Sequence, residues 1–338
     1  MDVCFSELFG KVYSRLDLSL EESKKAASSI LEGSWEVSQT SAFLATLHMK
    51  GETAEELAGF AMVARDKAVT VPPIRRQTID TSGTGGDHKG AFNISTVTGL
   101  VLAGCEIPVV KQGGEAASEC GSAELLAALG IRHRLLPDEI ATALEKTGFA
   151  FLYVPDYHPA TRFVASLQRQ VRFPNIFSLI APLTNPAHPA AQLIGVYDRE
   201  ALSRMAGALR ILDPNKRVTL VHGLEGWDEA TTCCDFLIHA PNGEESWVNA
   251  RIFGFPEASA ADLRGGSPEE NACCTMAMLE GQRGPRRDTV LLNAMLAAMA
   301  YYPDCSDREA LSIVTKSLDS GAVLNVVKKL QSAFPAEQ

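Results

Sequence analysis

Asp80-Thr81-Ser82-Gly83-Thr84-Gly85-Gly86-Asp87-His88-Lys89-Gly90-Ala91-Phe92-Asn93-Ile94-Ser95-Thr96 decides how this chain reads. On one side, Gln77–Asp80 has the composition of a strand end. On the other, Asn93 is placed to N-cap the apolar run Val97–Ala103. Glycines 83, 85 and 86 allow φ > 0 and a close backbone approach to a ligand. Amides at such a turn and at a helix N-terminus make a concave anion site, whose natural guest is phosphate or pyrophosphate. A plain strand-to-helix turn is the alternative. Against it, Asp87 suits a phosphate site only with a metal or a sugar hydroxyl as its partner. Asn93, Ser95 and Thr96 add polar groups at the helix start. The familiar phosphate loops do not fit, because a dinucleotide fingerprint from Gly83 would need glycine at His88. A P-loop from Gly85 would need lysine at Ala91.

Upstream, the first 71 residues read as helices over Glu21–Leu31, Ser38–Met49 and Thr53–Val69, with Gly33 and Gly51 between them. Thr53-Ala54-Glu55-Glu56 is a capping box, and Pro72-Pro73 closes the segment. Downstream, strand candidates (Gln77–Thr81, Pro108–Lys111, Phe149–Val154, Gln192–Tyr197, Arg217–His222, Asp235–His239) alternate with helical stretches. These helices are Ser95–Ala103, Ser122–Leu129, Pro137–Lys146, Pro159–Gln170 and Arg199–Leu212. Glu269–Glu280, Asp288–Tyr301, Asp307–Leu318 and Ala322–Ser332 form a helical tail. The pattern predicts an α/β fold: a small all-α N-terminal domain over residues 1–72 and a large domain over 73–338. The large domain has a mostly parallel central sheet covered by helices.

The 338 residues are 46% apolar and 21% charged, as in ordinary soluble globular chains, and suffice for one large or two modest domains. With 31 basic against 41 acidic residues, the net charge of −10 opposes broad binding to nucleic acid or an anionic membrane. The eight cysteines form no CxxC or Cys/His zinc spacing, and Met1–Gly10 has no apolar signal core. No apolar run approaches the ~18 residues of a bilayer span. Reduced, buried thiols in a cytoplasmic protein are the expectation; a redox role for Cys233-Cys234 or Cys273-Cys274 is the alternative.

Other segments add chemistry. Lys111-Gln112-Gly113-Gly114 follows the second strand at the sheet end where ligands gather, so Lys111 is placed to reach a bound phosphate. Asp228-Glu229 follows the strand ending Val221-His222-Gly223, and adjacent carboxylates there suit Mg²⁺. Taken alone they also fit a solvated acidic loop. His158, in Pro155-Asp156-Tyr157-His158-Pro159, reads as a packing or capping group, and Pro182-Leu183-Thr184-Asn185-Pro186 as a structural turn.

In order, GTGGD (83–87), NIST (93–96), KQGG (111–114), YHP (157–159), PLTNP (182–186), QLIGVY (192–197), VHG with Asp228-Glu229, LRGGSPEENA (263–272) and RDTVLLNA (287–294) resemble the anthranilate phosphoribosyltransferase family. That family belongs to the class-III phosphoribosyltransferase and nucleoside-phosphorylase-like superfamily. GTGGD and NxST are shared across the superfamily; PLTNP with QLIGVY points to the anthranilate branch. The resemblance implies Mg²⁺-dependent transfer of phosphoribose from 5-phosphoribosyl 1-pyrophosphate (PRPP) to the amino group of anthranilate, in tryptophan biosynthesis. It implies that Gly83, Gly86, Asp87, Asn93, Ser95, Thr96, Lys111 and Ser122 bind PRPP. Ser95, Asp228 and Glu229 would hold metal. It also implies a helical domain completed by a segment near 160–185, and a homodimer.

The acceptor side departs from the family pattern. The family loop KHGNRS is here Lys111-Gln112-Gly113-Gly114-Glu115-Ala116, one residue shorter before Gly121-Ser122. The anthranilate-contacting asparagine falls at Gly114, and the arginine facing the anthranilate carboxylate falls at Gln168. Arg169 is adjacent, but on a helix it points ~100° away. A bidentate guanidinium contact is the stronger kind, so its loss matters. His158 and Pro182 complete the altered acceptor set, and no residue stands out as a general base. The sequence therefore predicts an intact donor side and a rebuilt acceptor side, with anthranilate or a related aromatic amine as substrate. A phosphorylase-like enzyme and a non-catalytic nucleotide or nucleic-acid binder are the alternatives.

Overall fold

The computed structural model describes residues 5–115, 120–171 and 175–336, apart from the side chains of residues 168, 169 and 171. Along the chain, α1 (Phe5–Tyr13), α2 (Leu20–Leu31), α3 (Val37–Lys50) and α4 (Ala54–Asp66) come first. Next are β1 (Ile79–Gly83), α5 (Ile94–Gly104), β2 (Val109–Gly113), α6 (Ser122–Ala128), α7 (Pro137–Thr147) and β3 (Phe149–Tyr153). They are followed by α8 (Val154–Tyr157), α9 (Arg162–Val171), α10 (Ile176–Ile180), β4 (Ala191–Gly195), α11 (Arg199–Leu212), β5 (Arg217–Gly223), β6 (Phe236–His239) and β7 (Glu245–Val248). Helices α12 (Pro268–Leu279), α13 (Pro285–Tyr301), α14 (Asp307–Asp319) and α15 (Ala322–Ala333) end the chain.

Two compact units emerge. The helical one comprises Met1–Val69, Pro155–Pro186 and Asp198–Lys216. Its centre is α4, which packs against α2, α10 and α11. Thr53 Oγ1 accepts from Glu56 N at 3.2 Å and Glu56 Oε2 accepts from Thr53 N at 2.8 Å, which closes the capping box. Reading strand–helix alternation assigns α11 to the sheet domain. The structure gives it to the helical unit, because its buried face (Ala201, Leu202, Met205, Ala208) packs on α4.

The second unit, Thr70–Val154, Ala187–Tyr197 and Arg217–Gln338, is built on one seven-stranded sheet in the order β3-β2-β1-β4-β5-β6-β7. The first five are parallel and the last two antiparallel. Strand order reverses between β1 and β4, and in open parallel sheets ligands gather in the crevice at the carboxyl ends of such a pair. The glycine-rich stretch leaves β1 at that point. Helices α5 and α13 form the centre of the core, with Val97, Leu100, Val101, Val290, Leu292 and Met295 fully buried.

The sequence misses β7, and the cysteines depart from expectation. All seven described cysteines are unpaired, but only Cys120 is buried, and Cys273 is exposed. No single helix among the described residues is long and apolar enough to cross a membrane.

Candidate active site

At the carboxyl end of β1 the chain turns through Gly85 (φ +64°) and Gly86 (φ +84°), left-handed geometry that a side chain strains. β1 and β4 run parallel in register, with Gly83 opposite Gly195. Both glycines make room for the loop after β5. A Cβ on Gly195 would lie 1.4 Å from the Asp228 carbonyl oxygen, and one on Gly83 would lie 2.4 Å from Asp228 Oδ2. The loop is anchored by Trp227, 1% exposed, whose carbonyl accepts from Gly223 N at 2.9 Å. Asp228 is thereby seated on the glycine turn, where its Oδ2 accepts from Gly85 N at 2.8 Å.

Carboxylate oxygens of Asp87, Asp228 and Glu229 all lie within 4.8 Å of one another. Burial, reinforced by Asp87, pushes Asp228 up to about 7. Burial and the Asp228 and Asp87 charges push Glu229 well above the usual carboxylate range, while Lys111 pulls the other way. Glu229 Oε2 is buried with no hydrogen-bond partner among the described residues. Three hard oxygen donors held together, Asp228 and Glu229 at a raised proton affinity and Glu229 Oε2 orphaned, fit a divalent cation that takes oxygen ligands. The resemblance places Asp87 among the PRPP contacts and Ser95 on both the phosphates and the metal. The geometry groups Asp87 with Asp228 and Glu229, and Lys111 Nζ donates to Ser95 Oγ at 3.2 Å.

Lys111 is 1% exposed, and its Nζ donates to the Thr81 carbonyl at 2.5 Å. Burial lowers its pKa to about 8, opposed by the Asp80 and Glu229 charges. Its position at a strand end signals a phosphate contact in the sequence; the structure places its charge inside the unit, beside those two carboxylates. Thr96 is fully buried and donates to Ser122 Oγ at 3.0 Å. Asn93 occupies the N-cap position of α5 but makes no side-chain cap bond. Its Nδ2 donates to the Cys120 carbonyl at 3.0 Å, and its Oδ1 accepts from Asn271 Nδ2 at 2.9 Å. The strap before α12 closes over the same loop: Phe92 N donates to Leu263 O at 2.9 Å and Gly265 N to Gly90 O at 2.8 Å.

At Gly114, which the sequence assigns to the acceptor, an added Cβ would meet among the described residues only Val154 Cβ at 3.8 Å. Glu115 Oε1 accepts from Tyr153 Oη at 2.6 Å, and Arg134 lies over the Tyr153 ring at 5.6 Å. The other positions that the sequence assigns to the acceptor lie in the helical unit. His158 is 3% exposed, and burial takes its pKa down to about 4, so the imidazole is neutral near pH 7. Pro182 is buried in the turn Ala181–Leu183. Gln168 lies on α9, with its side chain outside the described residues.

The sequence reading missed Gly195, Asn271 and the grouping of Asp87 with Asp228 and Glu229. The oddity of a carboxylate beside a phosphate turn was the signal for Asp87. For Gly195 the signal was the glycine inside the apolar run Gln192–Tyr197.

Known proteins share both units. The family model for the helical bundle domain of the glycosyl transferase family matches residues 6–68, and the model for its a/b domain matches residues 75–324. The anthranilate phosphoribosyltransferase of Methanocorpusculum labreanum is 39% identical over 330 residues, covering 96% of each chain. The crystal structure of the Thermus thermophilus anthranilate phosphoribosyltransferase superposes with a TM-score of 0.90 at 32% identity, covering 98% of this chain and 99% of that one. That of Saccharomyces cerevisiae, in complex with PRPP and Mg, shares the fold with a TM-score of 0.90 at 23% identity and 97% coverage of each chain. The chain belongs to the anthranilate phosphoribosyltransferase family of glycosyltransferase-type enzymes.

Proposed function

We propose that the protein transfers phosphoribose from PRPP, held with Mg²⁺, to the amino group of anthranilate or a related aromatic amine. The observation that carries this is the convergence of Asp87, Asp228 and Glu229 on the Gly85–Gly86 turn, with Asp228 bonded to the turn's own amide. The turn and the first-turn amides of α5 would receive the phosphates. The three carboxylates would hold Mg²⁺, which when bound neutralises charge on the departing pyrophosphate. The C1–O bond to pyrophosphate breaks, the ribosyl centre takes on oxocarbenium character, and the amine lone pair forms the new C1–N bond before the nitrogen loses its proton. Lys111 acts from inside the unit, holding Ser95 and the Thr81 carbonyl and tempering Glu229.

Gly114 and Gln168 stand where the family pattern has asparagine and arginine, and Glu115 directs its carboxylate to Tyr153. The helical unit exposes Tyr13, Leu16, Val37 and Met49, apolar surface that fits burial in a homodimer.

Calorimetric titration with PRPP, with and without Mg²⁺, followed by pyrophosphate-release assays with anthranilate and a panel of aromatic and heterocyclic amines, tests the proposal. Mg²⁺-dependent PRPP binding and release with at least one amine are expected. Failure of either would overturn it.

A further inference from the structure

We propose that Asn271 is a positioning residue for the donor site, acting through the amide of Asn93. This rests on the PRPP reading above. The orientation of both amides follows from what their backbone partners can do. Gly266 N–H can only donate, and it faces Asn271 Oδ1 at 2.9 Å. The Cys120 carbonyl can only accept, and it faces Asn93 Nδ2 at 3.0 Å. With both ends fixed, the middle contact is forced: Asn271 Nδ2 donates to Asn93 Oδ1 at 2.9 Å. Cys120 Sγ also lies 3.4 Å from that oxygen.

The consequence is an inventory. Asn93 has two N–H donors and two lone pairs on its amide. Both lone pairs face donors and one N–H faces Cys120, so a single N–H is left for a ligand. A lone N–H suits a phosphoryl oxygen, and a flipped amide would present an oxygen to an anion instead. Asn271 is 3% exposed and sits in the first turn of α12, whose N-cap Ser267 and preceding strap fix it against Gly90–Phe92. The strap is held independently by Arg286, whose Nη2 donates to the Arg264 carbonyl at 2.6 Å. Asn271 therefore sets the Asn93 orientation, and a variant that keeps an oxygen for Gly266 N–H leaves its own tie to the strap in place.

The test is Asn271→Asp, which keeps the acceptor for Gly266 N–H and removes the donor to Asn93. Calorimetry with Mg²⁺ and PRPP should give a Kd raised about tenfold, the loss of one hydrogen bond to a charged group. KM for PRPP should rise in step with kcat nearly unchanged, as for an interaction equal in the ground and transition states. In the Asn93→Ala background, Asn271→Asp should add almost nothing, because the two residues act as one unit. Asn271→Ala serves as the second variant if Asn271→Asp does not fold, and it should raise Kd several-fold. A folded variant with unchanged Kd and KM, a loss confined to kcat, or penalties that multiply in the double variant would each overturn the inference. A parent protein that binds no PRPP with Mg²⁺ overturns the proposed function and this inference with it.

Discussion

Asp228→Asn should make the cation-free protein more stable while removing its donor-site function. Asp228 titrates at about 7 in place of 3.8, because it is buried and faces Asp87. A displacement of about three pH units corresponds to about 4 kcal/mol held against the folded state once the group is ionised. The sign follows from proton binding. The folded-state pKa is raised, so between 3.8 and about 7 the folded protein binds more protons and loses stability as pH rises. The penalty is complete above pH 7 and absent below pH 4. Asparagine keeps an oxygen for Gly85 N–H and sets an amide beside two carboxylates, so the contact at 2.8 Å survives. Allowing half the penalty for local relaxation leaves a gain of about 2 kcal/mol at pH 8, or about 3 °C in Tm for a chain of this length. Thermal unfolding in EDTA from pH 5 to 8.5 measures it, with the parent as reference. The gain should fade toward pH 5, and Mg²⁺-dependent PRPP affinity should fall at least ~100-fold. A variant no more stable than the parent at pH 8, or equally stabilised at pH 5, would refute the claim that buried like charge strains this loop.

Gly195→Ala should abolish activity and lower Tm, since its Cβ would lie 1.4 Å from the Asp228 carbonyl oxygen and the carboxylate loop must lift; overpacking of this kind costs about 1–3 kcal/mol. Circular dichroism with a PRPP titration checks it, and Gly114→Ala, where the nearest atom is 3.8 Å away, is the control expected within ~0.5 kcal/mol of the parent. Mg²⁺ binding should release protons and weaken below pH 7 by up to about tenfold per pH unit for each proton displaced, because the raised carboxylates must ionise first; calorimetry in buffers of different ionisation heat reads this directly. Lys111→Met should shift that acid limb to higher pH, since Lys111 holds Glu229 down. It should also flatten stability between pH 8 and 10.5, where the parent gains: the folded-state pKa of Lys111 is lowered, so the unfolded chain binds the extra proton there.

The parts of the fold that were legible are those where local chemistry and tertiary environment agree. Arg199–Leu212 is read residue for residue as a helix, because its N-cap Asp198 and its apolar spacing say the same thing. Its membership of the helical unit is set by packing on α4, which no local pattern encodes. β7 escaped because Glu245-Ser246-Trp247-Val248 is an edge strand with three exposed residues and no apolar alternation. β1 was placed two residues early, which hid Gly83 inside the strand and with it the pairing to Gly195. Asn93 shows the same division at the site. Its position at the helix start was legible, but its partners lie 27 and 178 residues away in sequence.

The charges at this site also order its chemistry. Each pair of like charges within 4.8 Å is worth roughly 3 kcal/mol of repulsion at an effective dielectric constant near 20. The three carboxylates have one nearby buried cation, Lys111, whose own burial resists its charge. A diphosphate approaching the Gly85–Gly86 amides meets the same negative field, since Asp228 occupies one of those amides. A divalent cation between carboxylates and diphosphate converts both repulsions into attraction. Each ligand thus raises the affinity for the other, and by linkage the two enhancements are equal. On the proposed function, the repulsion of packing Asp87, Asp228 and Glu229 together would make binding of the sugar diphosphate conditional on the metal, and would confine tight binding to ligands that bring a chelating anion.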